Sequence, residues 1–172
     1  MNRRLRMLLV AGGGLLAAVA LAIGASAALD RPATTVTNGV TVAGSKAEVW
    51  AVLVDLEAYD DWNPVFRNAS GGTGEGDRLE LDLVLPGHDP VPLDPKVLVS
   101  RPDRKLWWQD RLVVPGLRDW EYEVILEPLG NGRVLAVQRL RSEGLLSPLT
   151  DDGAAREALE LIARALAERV AS

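Results

Sequence analysis

Residues 49–66, VWAVLVDLEAYDDWNPVF, constrain the fold more than any other part of the chain. Val49, Val52, Leu53 and Leu56 stand at i, i+3, i+4 and i+7, the spacing of a helix that buries one face. Just upstream, Ser45 and Glu48 have the spacing of a capping box, in which the serine oxygen accepts from the third helical amide and the glutamate reaches back to the cap amide. The helix is therefore expected to start at Ser45. It must stop before Pro64, which has no amide hydrogen and pushes Asn63 out of helical geometry. Tyr59, Trp62 and Phe66 gather here although aromatic residues make up only 5% of the chain, so an aromatic elbow follows the helix.

The rest of the chain reads mainly as strands. Residues 35–42 are rich in β-branched side chains and form a first strand; Asn38-Gly39 within it is expected to be a bulge, since a hairpin there would have arms of only about three residues. Residues 71–76 make a turn. Their glycines resemble a phosphate loop in composition only, because the Lys-Ser/Thr pair is missing and a strand follows where a helix is needed. Along residues 78–85, Leu79, Leu81, Leu83 and Leu85 alternate onto one face. Proline and glycine crowd residues 86–95 into a loop, with strands resuming at 96–100 and 105–114. Pro115-Gly116 breaks the second of these. Residues 119–127 alternate Trp120, Tyr122, Val124 and Leu126 against Glu121, Glu123 and Glu127, so one face is buried and the other wet. Gly130-Asn131-Gly132 is a strong hairpin turn into a partner strand at 133–141.

From Asp151 or Asp152 to residue 170 the period becomes helical, with Ala155, Leu159, Ile162, Leu166 and Val170 on one face. The order of a strand, short helices, antiparallel strands and one long closing helix is α+β. The apolar strand faces need a cover, and the closing helix has a face long enough to supply one.

The N-terminus is of another kind. Arg3, Arg4 and Arg6 precede an uncharged, apolar run at residues 8–28, and Ala25-Ser26-Ala27 has the small side chains that a signal peptidase accepts. Residues 1–28 are thus a signal peptide, cleaved after Ala27 to give a secreted protein, or an N-terminal membrane anchor, since about 20 apolar residues also suffice to span a bilayer. Either way the domain is exported and extracytoplasmic, with residues 29–34 as a linker and 35–172 as the domain. Loss of the leader, with its three arginines and no acid, takes the net charge from −5 to −8. Nucleic acid and anionic lipid surfaces are disfavoured as partners, because both attract runs of Lys and Arg that the sequence lacks. The chain has no cysteine, which excludes disulfides, thiolate catalysis and Cys-ligated metals. With one histidine besides, no metal site is expected. His88 sits in a Pro/Gly loop beside Asp89, and adjacent residues do not orient each other as a base and its supporting carboxylate must. No Gly-x-Ser-x-Gly elbow is present.

Residues 47–56 with Val49-Trp50, the Trp62-Asn63-Pro64 elbow, the strand with Trp108, Pro115-Gly116-Leu117, Leu126-Glu127-Pro128 before Gly130-Asn131-Gly132, and Glu143-Gly144-Leu145-Leu146 form an ordered series of words. In this the chain resembles the START-like, Bet v 1-like superfamily, and within it the polyketide cyclase/dehydrase-like group called SRPBCC. The resemblance covers roughly residues 35–170. It implies a helix-grip fold: a curved antiparallel β-sheet wrapped around a long C-terminal helix, with two short helices after the first strand. It also implies a cavity between sheet and helix for a hydrophobic small molecule or lipid, with no cofactor. It does not imply catalysis, since most members lack a shared catalytic set. Where many relatives carry a histidine, Tyr122 stands here.

With Trp120 and Tyr122 inward, alternation turns Leu106, Trp108, Asp110 and Leu112 the same way, and Ala136, Gln138, Leu140 and Ser142 on the partner strand. Asp110, Tyr122 and Gln138 then stand as polar groups among apolar neighbours, the composition of an orienting patch in a ligand pocket. The candidate ligand-binding residues are Trp62, Asn63, Leu81, Leu83, Trp108, Asp110, Tyr122, Gln138, Leu140 and Ile162. Each polar one has a structural alternative: Asp110 at a wet strand end, Tyr122 bonded to a backbone carbonyl, Trp62 as a lid on the core, Asn63 bonded to backbone amides in the turn before Pro64. Trp107 falls on the opposite face. Three functions follow: a carrier or sensor of a hydrophobic molecule, a cyclase- or dehydratase-like enzyme moving a proton with Tyr122 or Asp110, or an envelope protein-interaction domain using an exposed patch at Trp107.

Overall fold

The computed structural model describes residues 34–85, 87–112, 118–144 and 152–172. The leader and nearly all of the linker, the Pro115-Gly116 break, and Asp151 as a helix start lie outside them. The element order is β1 (Thr34–Ala43), α1 (Lys46–Val54), a 3-10 turn (Leu56–Ala58), α2 (Tyr59–Trp62), β2 (Phe66–Gly71), β3 (Leu79–Leu83), β4 (Val91–Leu93), β5 (Lys96–Arg101), β6 (Lys105–Arg111), β7 (Asp119–Gly130), β8 (Arg133–Glu143) and α3 (Asp152–Ala171).

Helix α1 starts where the sequence places it. The Glu48 amide donates to Ser45 Oγ at 3.3 Å, and the Ser45 amide donates to Glu48 Oε2 at 2.7 Å. The Ser45 amide foremost, and then the Ser45 hydroxyl, which donates to the same oxygen at 2.8 Å, hold the Glu48 carboxyl below the usual carboxylate range. Val49 and Leu53 face the core. The elbow is fastened to the helix because the buried Tyr59 hydroxyl donates to Leu53 O at 2.7 Å, satisfying one of the carbonyls that a helix end leaves open.

Strands β1, β8, β7, β6 and β5 form an antiparallel sheet in that spatial order, and β2, β3 and β4 form a second. The two run into each other: Val97 N donates to Asp77 O at 2.8 Å and Leu79 N to Pro95 O at 2.9 Å, so the sheet curls over from β5 towards β3. Helix α3 packs chiefly on β1, with further contact to β8 and α1. Ala155, Leu159, Ile162 and Leu166 are buried there, as their spacing requires. A curved antiparallel sheet gripping a long closing helix is the fold expected.

Three local expectations are corrected. The β1–β8 register runs unbroken from Thr34↔Ser142 to Ala43↔Arg133, so Asn38-Gly39 makes no bulge. Residues 66–71, not assigned to a strand from the sequence, form β2 and pair with β3. The loop at 86–95 contains the short strand β4, which pairs Leu93 with Leu81. Gly71, at φ 102°, lets β2 close on β3: a Cβ there would lie 2.3 Å from Arg78 O.

Candidate functional site

Sheet register decides which side chains meet. Trp108 lies opposite Tyr122 and Asp110 opposite Trp120 across β6 and β7; Tyr122 lies opposite Leu140 and Val124 opposite Gln138 across β7 and β8. Alternation puts all of these on the concave face, where they are buried. Phe66, the first residue of β2, covers the rings edge-on, at 5.0 Å from Trp108, 5.7 Å from Trp120 and 5.0 Å from Tyr122. Trp108 in turn stands 5.4 Å from both Trp120 and Tyr122. Edge contacts of this kind add about 0.5–1.5 kcal/mol each beyond area burial.

The polar atoms in this layer are unevenly served. Tyr122 donates its hydroxyl to Gln138 Oε1 at 2.7 Å. Burial, reinforced by Tyr59, pushes the Tyr122 phenol well above its ordinary range, so it is neutral. Three buried donors, Trp108 Nε1, Trp120 Nε1 and Gln138 Nε2, have no acceptor among the described residues. A buried donor left without an acceptor costs about 1–3 kcal/mol, so three together are a considerable burden on an apolar layer.

Of the residues predicted as ligand-binding, the structure brings together Trp108, Tyr122, Gln138 and Leu140 on the sheet. Leu83 pairs with Phe66, and Leu81 lies further along β3 opposite Leu93. Ile162 is buried on α3. Asn63 takes its structural role: its Oδ1 accepts from Val65 N at 3.0 Å and Phe66 N at 2.9 Å, which fixes the turn that delivers Phe66 to the rings. Trp62 packs edge-on against Tyr59 at 5.1 Å and lines a surface depression with Val52 and Arg169, away from the concave face.

Asp110 is a fastener. Its Oδ1 accepts from Asp94 N at 3.0 Å, and Arg118 Nη2 lies 2.7 Å from Oδ2, close enough for a strong ion pair although off the line of a hydrogen bond. It ties the β4–β5 connection to the start of β7. Phe66, Trp120 and Arg118 are the residues of this region that the sequence reading left out of the site. A signal for Arg118 was present: in the sequence Asp110-Arg111 and Arg118-Asp119 mirror each other on either side of Pro115-Gly116, and Arg111 Nε meets Asp119 Oδ1 at 2.6 Å.

Trp107, on the convex face, is half-buried with Lys105 Nζ 5.0 Å above its ring. Around it, Lys105 and Arg139 pair with Glu123, and Arg141 pairs with Glu121 and Glu143. This fence of ion pairs replaces the apolar patch expected of a protein-interaction surface there.

The fold and the concave aromatic face define a helix-grip domain of the START and Bet v 1 type. The chain belongs to the family described as polyketide cyclase / dehydrase and lipid transport, which it matches over residues 33–172. Among solved structures it is similar to a START superfamily protein from Mycobacterium smegmatis, at 24% identity and TM-score 0.66, covering 79% of this chain and 96% of that one. It is also similar to the Zhui aromatase/cyclase from Streptomyces sp. R1128, at 19% identity and TM-score 0.61, over 81% and 94% of the two chains. Truncated norcoclaurine synthase from Thalictrum flavum shares 16% identity at TM-score 0.62, again over 81% and 94%. Comparison with curated protein sequences gives no match.

Proposed function

We propose that the domain binds an apolar small molecule bearing hydrogen-bond acceptors, such as carbonyl or ether oxygens, against the concave face of β6, β7 and β8. The observation that carries this reading is the set of three buried donors without acceptors among the described residues, Trp108 Nε1, Trp120 Nε1 and Gln138 Nε2. A ligand oxygen that accepts from one of them relieves a penalty already present in the free protein, so the gain exceeds that of an ordinary exchange of hydrogen bonds with water. The rings supply apolar contact area, and Phe66 is the side chain that moves aside to admit the ligand. Membership of a family described by polyketide cyclisation and lipid transport supports the same ligand class. Of the two groups considered for proton transfer, Asp110 is engaged by Arg118 and the Asp94 amide, and Tyr122 by Gln138.

Basic residues, an apolar run and Ala25-Ser26-Ala27 support export of the domain, with residues 1–28 cleaved or kept as an anchor. Cell fractionation with mass determination of the N-terminus distinguishes these two forms, and a cytoplasmic full-length chain would refute export. For the ligand, tryptophan fluorescence titrations compare an aromatic ketone with the hydrocarbon of the same ring skeleton. The ketone is expected to bind at least about tenfold tighter, the equivalent of one hydrogen bond to a buried donor. Equal affinities would remove the three donors from the recognition.

A further inference from the structure

At the end of the sheet marked by the β5–β6 turn, a groove of about 480 Å³ opens to solvent. Lys46 from the first turn of α1, Arg101 and Arg104 from the β5–β6 hairpin, and Lys105 from β6 line it, over Ile125, Leu126 and Pro128 of β7. Glu127 is the only acid among the lining residues. Lys105 is engaged by Glu123, but Lys46, Arg101 and Arg104 have no ion-pair partner among the described residues. In a chain of net charge −5 this is a local reversal of sign, and six of the ten other described arginines are matched with carboxylates. The α1 N-terminus is already served by the Glu48 carboxylate, so the side chains alone make the groove cationic. The arrangement is held in place by the backbone: Arg104 N donates to Arg101 O at 3.0 Å, and Leu126 N donates to Arg104 O at 2.9 Å, which pins the turn to the groove floor.

We propose that this groove binds a phosphate group, separately from the concave site. Three unpaired cations converging from two elements suit a tetrahedral oxyanion, which offers several acceptor oxygens and up to two charges, and guanidinium forks match its geometry. The apolar floor suits a phosphate carried on a partly apolar molecule. The charge was invisible to a search for basic runs because it is assembled from residues 46, 101, 104 and 105. Free phosphate esters and phospholipid head groups share this chemistry.

The test uses the full chain with two probes. Inorganic phosphate is titrated calorimetrically, and vesicles of phosphatidylglycerol are compared with vesicles of phosphatidylcholine by co-sedimentation. Arg101→Gln/Arg104→Gln should weaken phosphate binding, or abolish the preference for phosphatidylglycerol, by at least about tenfold, whereas Glu127→Gln should tighten it several-fold by removing the one opposing charge. The difference between variants cancels any vesicle binding by the N-terminal segment. An effect confined to phosphate assigns the groove to soluble esters, and one confined to vesicles assigns it to lipid head groups. If neither probe distinguishes Arg101→Gln/Arg104→Gln from the unaltered protein, or if Glu127→Gln weakens binding, the proposal is overturned. Circular dichroism of each variant verifies the fold, which these solvent-facing substitutions should leave intact.

Discussion

Replacing Tyr122 by Phe and Gln138 by Met, singly and together, separates what the buried polar pair contributes to stability from what it is retained for. Tyr122→Phe removes the 2.7 Å bond to Gln138 and leaves Gln138 Oε1 buried with no donor, while Nε2 still lacks an acceptor. The lost bond is worth about 1 kcal/mol net and the stranded oxygen about 1–3 kcal/mol, so the variant should be destabilised by about 2–4 kcal/mol. Gln138→Met nearly conserves volume. It strands the Tyr122 hydroxyl but eliminates the unpartnered amide donor, so the two changes should cancel to within about 1 kcal/mol. In the double variant no polar atom of the pair remains. One bond worth about 1 kcal/mol is lost and one unpartnered donor costing about 1–3 kcal/mol disappears, which leaves the protein as stable as before or up to about 2 kcal/mol more stable. Urea unfolding reads this as a midpoint for Tyr122→Phe lower by roughly 1 M, restored or exceeded in the double variant. A double variant less stable than Tyr122→Phe alone would refute the reasoning, because it would mean that the pair pays for itself in the free protein.

Three further outcomes follow from the same geometry. Phe66→Ala should cost about 3–5 kcal/mol in urea unfolding and should create a site for a small aromatic probe, seen as altered tryptophan fluorescence; a cost under about 1 kcal/mol would mean that the ring does not cover the cluster. Asp110→Ala leaves Arg118 shielded without its partner and should cost about 3–5 kcal/mol, with Asp110→Asn milder because the Asp94 amide keeps an acceptor; an equal, small effect of both would remove the fastener. Tyr59 and Tyr122 both have phenols raised above the ordinary value by burial, so the folded state retains protons that the unfolded state releases. Stability is thus fully present below about pH 10 and falls as pH rises above it, by about 1.4 kcal/mol per pH unit for each tyrosine, and Tyr122→Phe should halve the slope of denaturation midpoint against pH.

The parts of the fold that were legible in the sequence are those where one local rule acts alone. Alternation in residues 119–127 and 133–141, the Asn131-Gly132 turn and the Ser45/Glu48 box each fix geometry within a few residues, and each stands where it was expected. Strand β2 was illegible for an equally local reason. Arg67, Asn68 and Ser70 are polar, Asn68 takes a φ of 51°, and the register with β3 shifts between Arg67 and Ser70, so no period of two survives. That mattered for the site, because β2 delivers Phe66. Strand β4 has three residues with Pro92 in the middle, which the position of β4 at the open edge of its sheet tolerates.

The candidate site was legible to the same degree. Alternation alone placed Trp108, Tyr122, Gln138 and Leu140 on one face, and they are there. It could not tell a residue that is free to meet a ligand from one engaged by its neighbours. Asp110 and Asn63 look alike as buried polar side chains, and their partners Arg118, Asp94, Val65 and Phe66 come into reach only through chain turns. The donors without partners among the described residues, by contrast, are recognised only in three dimensions. One of them belongs to Trp120, which the sequence presents simply as core.

Native mass spectrometry of the protein purified from its own host tests whether the concave face holds an oxygen-bearing apolar molecule. One bound small molecule per chain that contains oxygen is expected, retained by the unaltered protein and lost from Tyr122→Phe/Gln138→Met although that variant is at least as stable. A protein that carries no such molecule, or one that the stable double variant retains equally well, would contradict that expectation.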